Sequence, residues 1–225
     1  MSGKLKQFKI DHPFTALMML AIAVRVLVVI FLPGYGADHD IPKPSLTHTV
    51  MGDINNWLGG FCSIQGLMLI SRCFYALVSL FIVSFIYRIC DLLSNKETAW
   101  ILALFPIISC IMPTFGTISN SNVFLAFPLL LYGGMIILRQ EKLRKAEMND
   151  NVHRTSFFIA GLSLGAALCL WYPSGLIILS ILLMLYLLKN RKGTWFTFFG
   201  TLVSVAFIVA LVFIFSTNPM KYFGL

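Results

Sequence analysis

Apolar residues in this chain fall in long unbroken blocks separated by short polar stretches, not in the alternation of a half-buried sheet. The blocks run over residues 13–32, 64–89, 98–112, 123–138, 156–171, 173–188 and 194–215. About 20 apolar residues wound as a helix cross the roughly 30 Å of bilayer hydrocarbon. Within it, a helix satisfies every backbone polar group internally. The pattern therefore predicts an all-α, polytopic transmembrane helix bundle of about seven spans, a single transmembrane domain over residues 1–225.

The polar stretches place the punctuation. Residues 34–62 form an extended outer loop, GYGADHDIPKPSLTHT followed by VMGDINNWLGGF. Its second half reads as a short interfacial helix, with Trp57 at headgroup depth where amphipathic rings collect. CDLLSNKE is a short link, Pro113 and Gly116 mark a turn, and the charged run in residues 139–155 reads as a solvated, partly helical loop. The stretch from Ser156 to Leu188 is too long for one ordinary span, and Trp171-Tyr172-Pro173-Ser174 interrupts it. Two short helices meeting there as a hairpin is one reading, and one long kinked helix the other.

Charge favours the hairpin. The chain carries 17 Lys and Arg against 9 Asp and Glu, and cytoplasmic loops are enriched in Lys and Arg. With the N-terminus inside, thirteen of those 17 are cytoplasmic: Lys4, Lys6, Lys9, Arg88, Lys96, the five between Arg139 and Arg154, and Lys189, Arg191 and Lys192. Only Lys43 and Lys221 fall outside, and Arg25 and Arg72 lie within spans. A single long helix at 156–188 would move KNRK to the outer side.

Composition agrees. With 58% hydrophobic residues, 12% charged and a mean hydropathy of +0.86, the chain lacks the ~25% charged residues of a soluble domain. The cations lie between apolar runs, so the net charge of +8 marks topology and not nucleic-acid binding. The block after Lys4, Lys6 and Lys9 exceeds the about 7–15 residues of a signal h-region, contains Arg25 and lacks an A-x-A site, so it is read as the first span. The five cysteines lie in or beside apolar segments with no CxxC among them, as core or lipid-facing residues do.

Candidate chemistry centres on the outer side. An arginine within a span costs about 2.5–3.5 kcal/mol on insertion scales and needs a partner or a wet cavity. Arg25 stands eight residues before Pro33 and Arg72 eight after Ile64, so both sit roughly 12 Å inside the outer ends of their helices. Asp38, Asp40 and Asp53 are the acids on that side. One reading is an outward-opening site, with an aspartate as general base and the arginines holding a phosphate that leaves. The other has the arginines snorkelling, or pairing with a helix-terminal carbonyl or an aspartate to hold the bundle. The spacing of Asp38, His39 and Asp40 would suit metal ligands, but alternate loop residues are more commonly a solvated turn, and no metal site is assigned. No Walker A, GxSxG, HExxH or Rossmann glycine pattern is present, which argues against ATP-driven chemistry and leaves any cofactor unknown. Gly161 and Gly165 have the GxxxG spacing of closely packed helices.

Beyond these features, AVRVLVVIFLPGYGADHD resembles the first helix and acidic outer loop of the GT-C superfamily of membrane glycosyltransferases. The stretch from Ser71 to Leu138, with its ALFP helix end and polar outer turn, resembles the helices that follow, and FFIAGLSLGAALCLWYPSGLIILSILLMLYLL is similar to a later short hairpin. The resemblance implies a GT-C-like bundle in which Asp38 or Asp40 deprotonates an acceptor hydroxyl, Arg25 and Arg72 stabilise the departing phosphate, and the donor is a polyprenyl-phosphate sugar. The chain departs from the pattern in lacking an Asp-Glu pair after the first helix and an acid in the turn FGTISNSN. A non-catalytic membrane subunit with partner proteins is therefore the alternative, and a small transporter the third option.

Overall fold

The computed structural model describes residues 12–31, 60, 64–108, 121–147 and 154–215. Among them are seven helices and no strand: α1 (Pro13–Phe31), α2 (Ile64–Leu93), α3 (Lys96–Ile108), α4 (Ser121–Glu147), α5 (Arg154–Leu170), α6 (Ser174–Leu187) and α7 (Arg191–Phe215). The chain forms the helical bundle that its apolar blocks predict.

Several helices outlast those blocks, and local chemistry explains three of them. Asn95 Oδ1 accepts from the Thr98 N–H at 2.8 Å, and Asn190 Oδ1 accepts from the Gly193 N–H at 2.8 Å. Each is an N-cap that satisfies an otherwise orphaned donor, so α3 starts at Lys96 and α7 at Arg191, ahead of their apolar runs. At the other extreme, α4 continues through the charged run to Glu147. Residues 140–147, QEKLRKAE, are mostly strong helix formers, and extending an existing helix adds a backbone bond for each residue fixed. The run expected as a partly helical loop is thus helix to Glu147, with residues 148–153 outside the described set. The outer loop 34–62, apart from Gly60, and the end of the expected third span at 109–112 also lie outside it.

By contact the chain divides into two compact units, Met1–Phe124 and Leu125–Leu225. In the first, α1, α2 and α3 run alternately up and down. The rings of Phe14 and Tyr87 meet at one end, 5.2 Å apart, and Arg25 reaches Ser79 and Pro106 toward the other. Each helix contributes a stripe at four-residue spacing to the interior: Leu17, Ala21 and Arg25 from α1, Ser79, Val83 and Tyr87 from α2, and Ala99, Ala103 and Ile107 from α3. That spacing keeps one face of a helix inward. The alanines let the backbones approach while the larger residues fill the gaps between them.

In the second unit α5 and α7 lie side by side and parallel. A Cβ on Gly161 would lie 3.0 Å from Gly200 Cα and nearer still to the Thr197 carbonyl oxygen, and one on Gly165 would meet the Thr201 carbonyl. Thr201 Oγ1 donates across the seam to the Gly161 carbonyl at 3.2 Å. The helix α5 also meets α4, where Ser163 Oγ donates to the Leu129 carbonyl at 2.8 Å. Beyond the break at Trp171–Pro173, α6 returns: Arg144 Nη2 donates to the Leu188 carbonyl at 3.0 Å, which brings the end of α6 to the charged end of α4. Within this unit the end of α4 at Arg144, the start of α5 at Arg154 and Lys189–Lys192 therefore share one end.

Among the described residues, four helices hold stretches long and apolar enough to cross a membrane: Pro13–Ile30, Cys73–Leu93, Val123–Ala146 and Arg191–Ile214. Arg154–Leu170 and Ser174–Leu187 are shorter apolar helices. Large apolar side chains face outward along them, including Leu176, Leu179, Phe199, Phe207 and Ile214. Surface of this kind is a liability in water but is the expected boundary with lipid.

Candidate functional site

Arg25 projects from the middle of α1 into the first unit and is only 2% exposed. Its Nε donates to Ser79 Oγ at 2.7 Å, its Nη2 to the Pro106 carbonyl at 2.7 Å, and its Nη1 to the Ile107 carbonyl at 3.4 Å. Ser79 in turn donates to the Ala76 carbonyl at 2.6 Å. Pro106 and Ile107 stand beside Ile108, where α3 ends, so a cation there meets the negative end of the helix dipole. Hydrogen bonds to a charged group contribute about 1.5–3 kcal/mol each, enough to offset the insertion cost of one arginine.

Ser79 and the ALFP helix end were visible in the sequence as an apolar-helix serine and an internal proline, but nothing linear tied them to Arg25. Their common feature is position: all three occupy the same level of a bundle that alternates in direction. Arg72 lies on α2, seven residues before Ser79, which places its backbone about 10 Å further along the same side of the helix. Its side chain, together with Asp38, His39, Asp40 and Asp53, falls outside the described residues. Among the described residues no group of His, Cys, Asp and Glu has the makings of a metal site.

A second polar cluster, not anticipated from the sequence, closes the charged end of the second unit. Glu141 is 5% exposed and accepts from Arg144 through Nε at 3.1 Å and Nη2 at 2.9 Å, as well as from Asn190 Nδ2. Asn190 thus caps α7 with its oxygen and holds α4 with its nitrogen. The preceding turn ends α6 through bonds from the Lys189 N–H to the Tyr186 carbonyl and from the Asn190 N–H to the Leu185 carbonyl. This is a Schellman arrangement, with Lys189 at φ 58° where glycine is usual. The cluster ties α4 to the turn between α6 and α7.

Residues 41–224 of the chain match the model of the Alg9-like mannosyltransferase family. The chain belongs to this family. Its members are GT-C-type membrane glycosyltransferases, the superfamily that the first helix, outer loop and hairpin resemble. No curated protein and no solved structure matches the chain. The family match includes Asp53 and Arg72, and begins one residue beyond Asp40. Arg25, Asp38 and His39 precede it.

Proposed function

We propose that the chain transfers a mannosyl group from a polyprenyl-phosphate donor to an acceptor hydroxyl at the outer face of the membrane. The family match over residues 41–224 carries this reading, and the bundle of apolar helices suits a lipid-linked donor. In the reaction the acceptor oxygen attacks the anomeric carbon and its proton passes to Asp38 or Asp40. The bond from that carbon to the phosphate oxygen breaks, and polyprenyl phosphate leaves with an added negative charge.

In this reading the two arginines take different roles. The described hydrogen bonds of Arg25 tie α1 to α2 and to the end of α3, which supports a positioning role: it fixes the helix from which the acidic outer loop departs. The charge that stabilises the leaving phosphate is then assigned to Arg72. Asp53 is the further candidate in the same loop, within the matched region.

Single Asp38→Asn and Asp40→Asn variants, assayed for mannose transfer in proteoliposomes, test the base. Loss of a general base costs about 10²–10⁴-fold in rate, so one of the two is expected to fall by that factor. Full activity in both would sink the assignment. Arg72→Gln is expected to lower kcat by about 10²–10³-fold, as losing a charge-stabilising group does, with partial recovery in Arg72→Lys.

A further inference from the structure

On the outward side of α6 and α7, at the charged end of the second unit, lies a groove of about 500 Å³ lined by Leu182, Tyr186, Arg191, Thr194, Trp195 and Phe198. Its chemistry is graded along the helices. Arg191 begins α7 at the rim, Tyr186, Thr194 and Trp195 follow, and Leu182 and Phe198 stand farthest from the rim along the two helices. From Arg191 to Phe198 is seven residues, about 10 Å of helix rise. The groove therefore passes from a full positive charge to a purely apolar floor over roughly the depth at which a phospholipid changes from phosphate to acyl chain.

The rim is electropositive. Lys189, Arg191 and Lys192 are all exposed within four residues, and the groove sits at the first turn of α7, the positive end of its dipole. The buried acid of this end, Glu141, is already engaged by Arg144 and Asn190. Arg191 makes no ion pair or side-chain hydrogen bond among the described residues. Trp195 meets Phe198 edge to face at 6.1 Å, a firm wall for a chain to lie against.

We infer that this groove binds an anionic glycerophospholipid, with the phosphate at Arg191 and an acyl chain along Trp195, Phe198 and Leu182. A soluble anion would use the rim and leave the apolar floor uncovered. A zwitterionic lipid would bring its own cation beside Arg191. The net-anionic lipid satisfies both ends of the groove. The site is independent of the transfer reaction, because it is built from α6 and α7 alone and uses none of the residues assigned to chemistry.

The test is fluorescence quenching of the full chain in liposomes, with the signal of Trp195 taken as the difference between the protein and its Trp195→Phe variant. Brominated phosphatidylglycerol and brominated phosphatidylcholine are compared as quenchers at matched mole fraction. The expected result is a preference of about fivefold for the anionic lipid, the scale of one cation near an anionic surface. It should disappear in Arg191→Gln, survive in Arg191→Lys, and change little in Lys192→Gln. Equal quenching by the two lipids would overturn the assignment. So would a preference lost equally in Arg191→Gln and Lys192→Gln, which is the signature of a diffuse charged surface, or selective displacement by polyprenyl phosphate. Failure of glycerol phosphate in solution to relieve the quenching supports the lipid as the ligand, and relief by it counts against.

Discussion

A guanidinium inside an apolar bundle persists only if the groups around it replace the water it lost. Ser79, Pro106 and Ile107 do so for Arg25, and the arrangement makes the residue a joint between three helices. Arg25→Met keeps most of the volume but leaves two helix-terminal carbonyls without this donor, at about 1–3 kcal/mol for each unsatisfied group. The variant is expected to lower the thermal midpoint in detergent, and Arg25→Lys to recover part of the loss. An unchanged midpoint with abolished transfer would instead put Arg25 in contact with substrate. From the sequence alone, the arginine could be recognised as needing partners, and a helix-terminal carbonyl was among the alternatives. Which carbonyl depends on how far the α2–α3 turn shifts one helix along the other, and apolar patterning does not encode that shift.

At the scale of elements, two glycines illustrate how far composition can mislead. Gly161 sits where α5 and α7 touch backbone to backbone, whereas nothing lies within 4 Å of the position a Cβ would take on Gly134 in α4. Gly161→Val must therefore drive α5 and α7 apart, and overpacking of this kind costs about 1–3 kcal/mol or more. Gly134→Ala should be neutral or stabilising by up to about 1 kcal/mol, because alanine is the better helix former. Thermal unfolding of the two variants side by side checks the pair, and equal effects would refute the close seam. The GxxxG spacing in α5 was legible beforehand. Its partner stripe on α7, Thr197, Gly200, Thr201 and Ser204, was not, because threonine and serine in an apolar helix announce polarity before smallness. The break at Trp171–Pro173 was readable for a simpler reason: proline and its neighbours stop a helix locally. The caps at Asn95 and Asn190 were overlooked because hydropathy counts asparagine only as polar.

For the whole molecule, the distribution of charge and the family match point the same way. In the second unit the described helices carry no charged residue between Thr155 and Leu188 or between Gly193 and Phe215, so its charge gathers at one end. This supports the proposal that this end faces the cytoplasm and that the acidic loop after α1 faces outward. The bundle and the seven helices among the described residues were legible because apolar helices leave long unbroken blocks in the sequence. The catalytic side was legible only as residue types in a loop, since no periodicity governs where loop aspartates come to rest. The most direct measurement of the central claim is transfer of radiolabelled mannose from polyprenyl-phosphomannose to membrane glycolipid acceptors by the purified chain in liposomes. The account predicts labelled product that depends on the chain and vanishes when Asp38→Asn and Asp40→Asn are combined. No product from the unaltered chain, or undiminished product from the double variant, would contradict it.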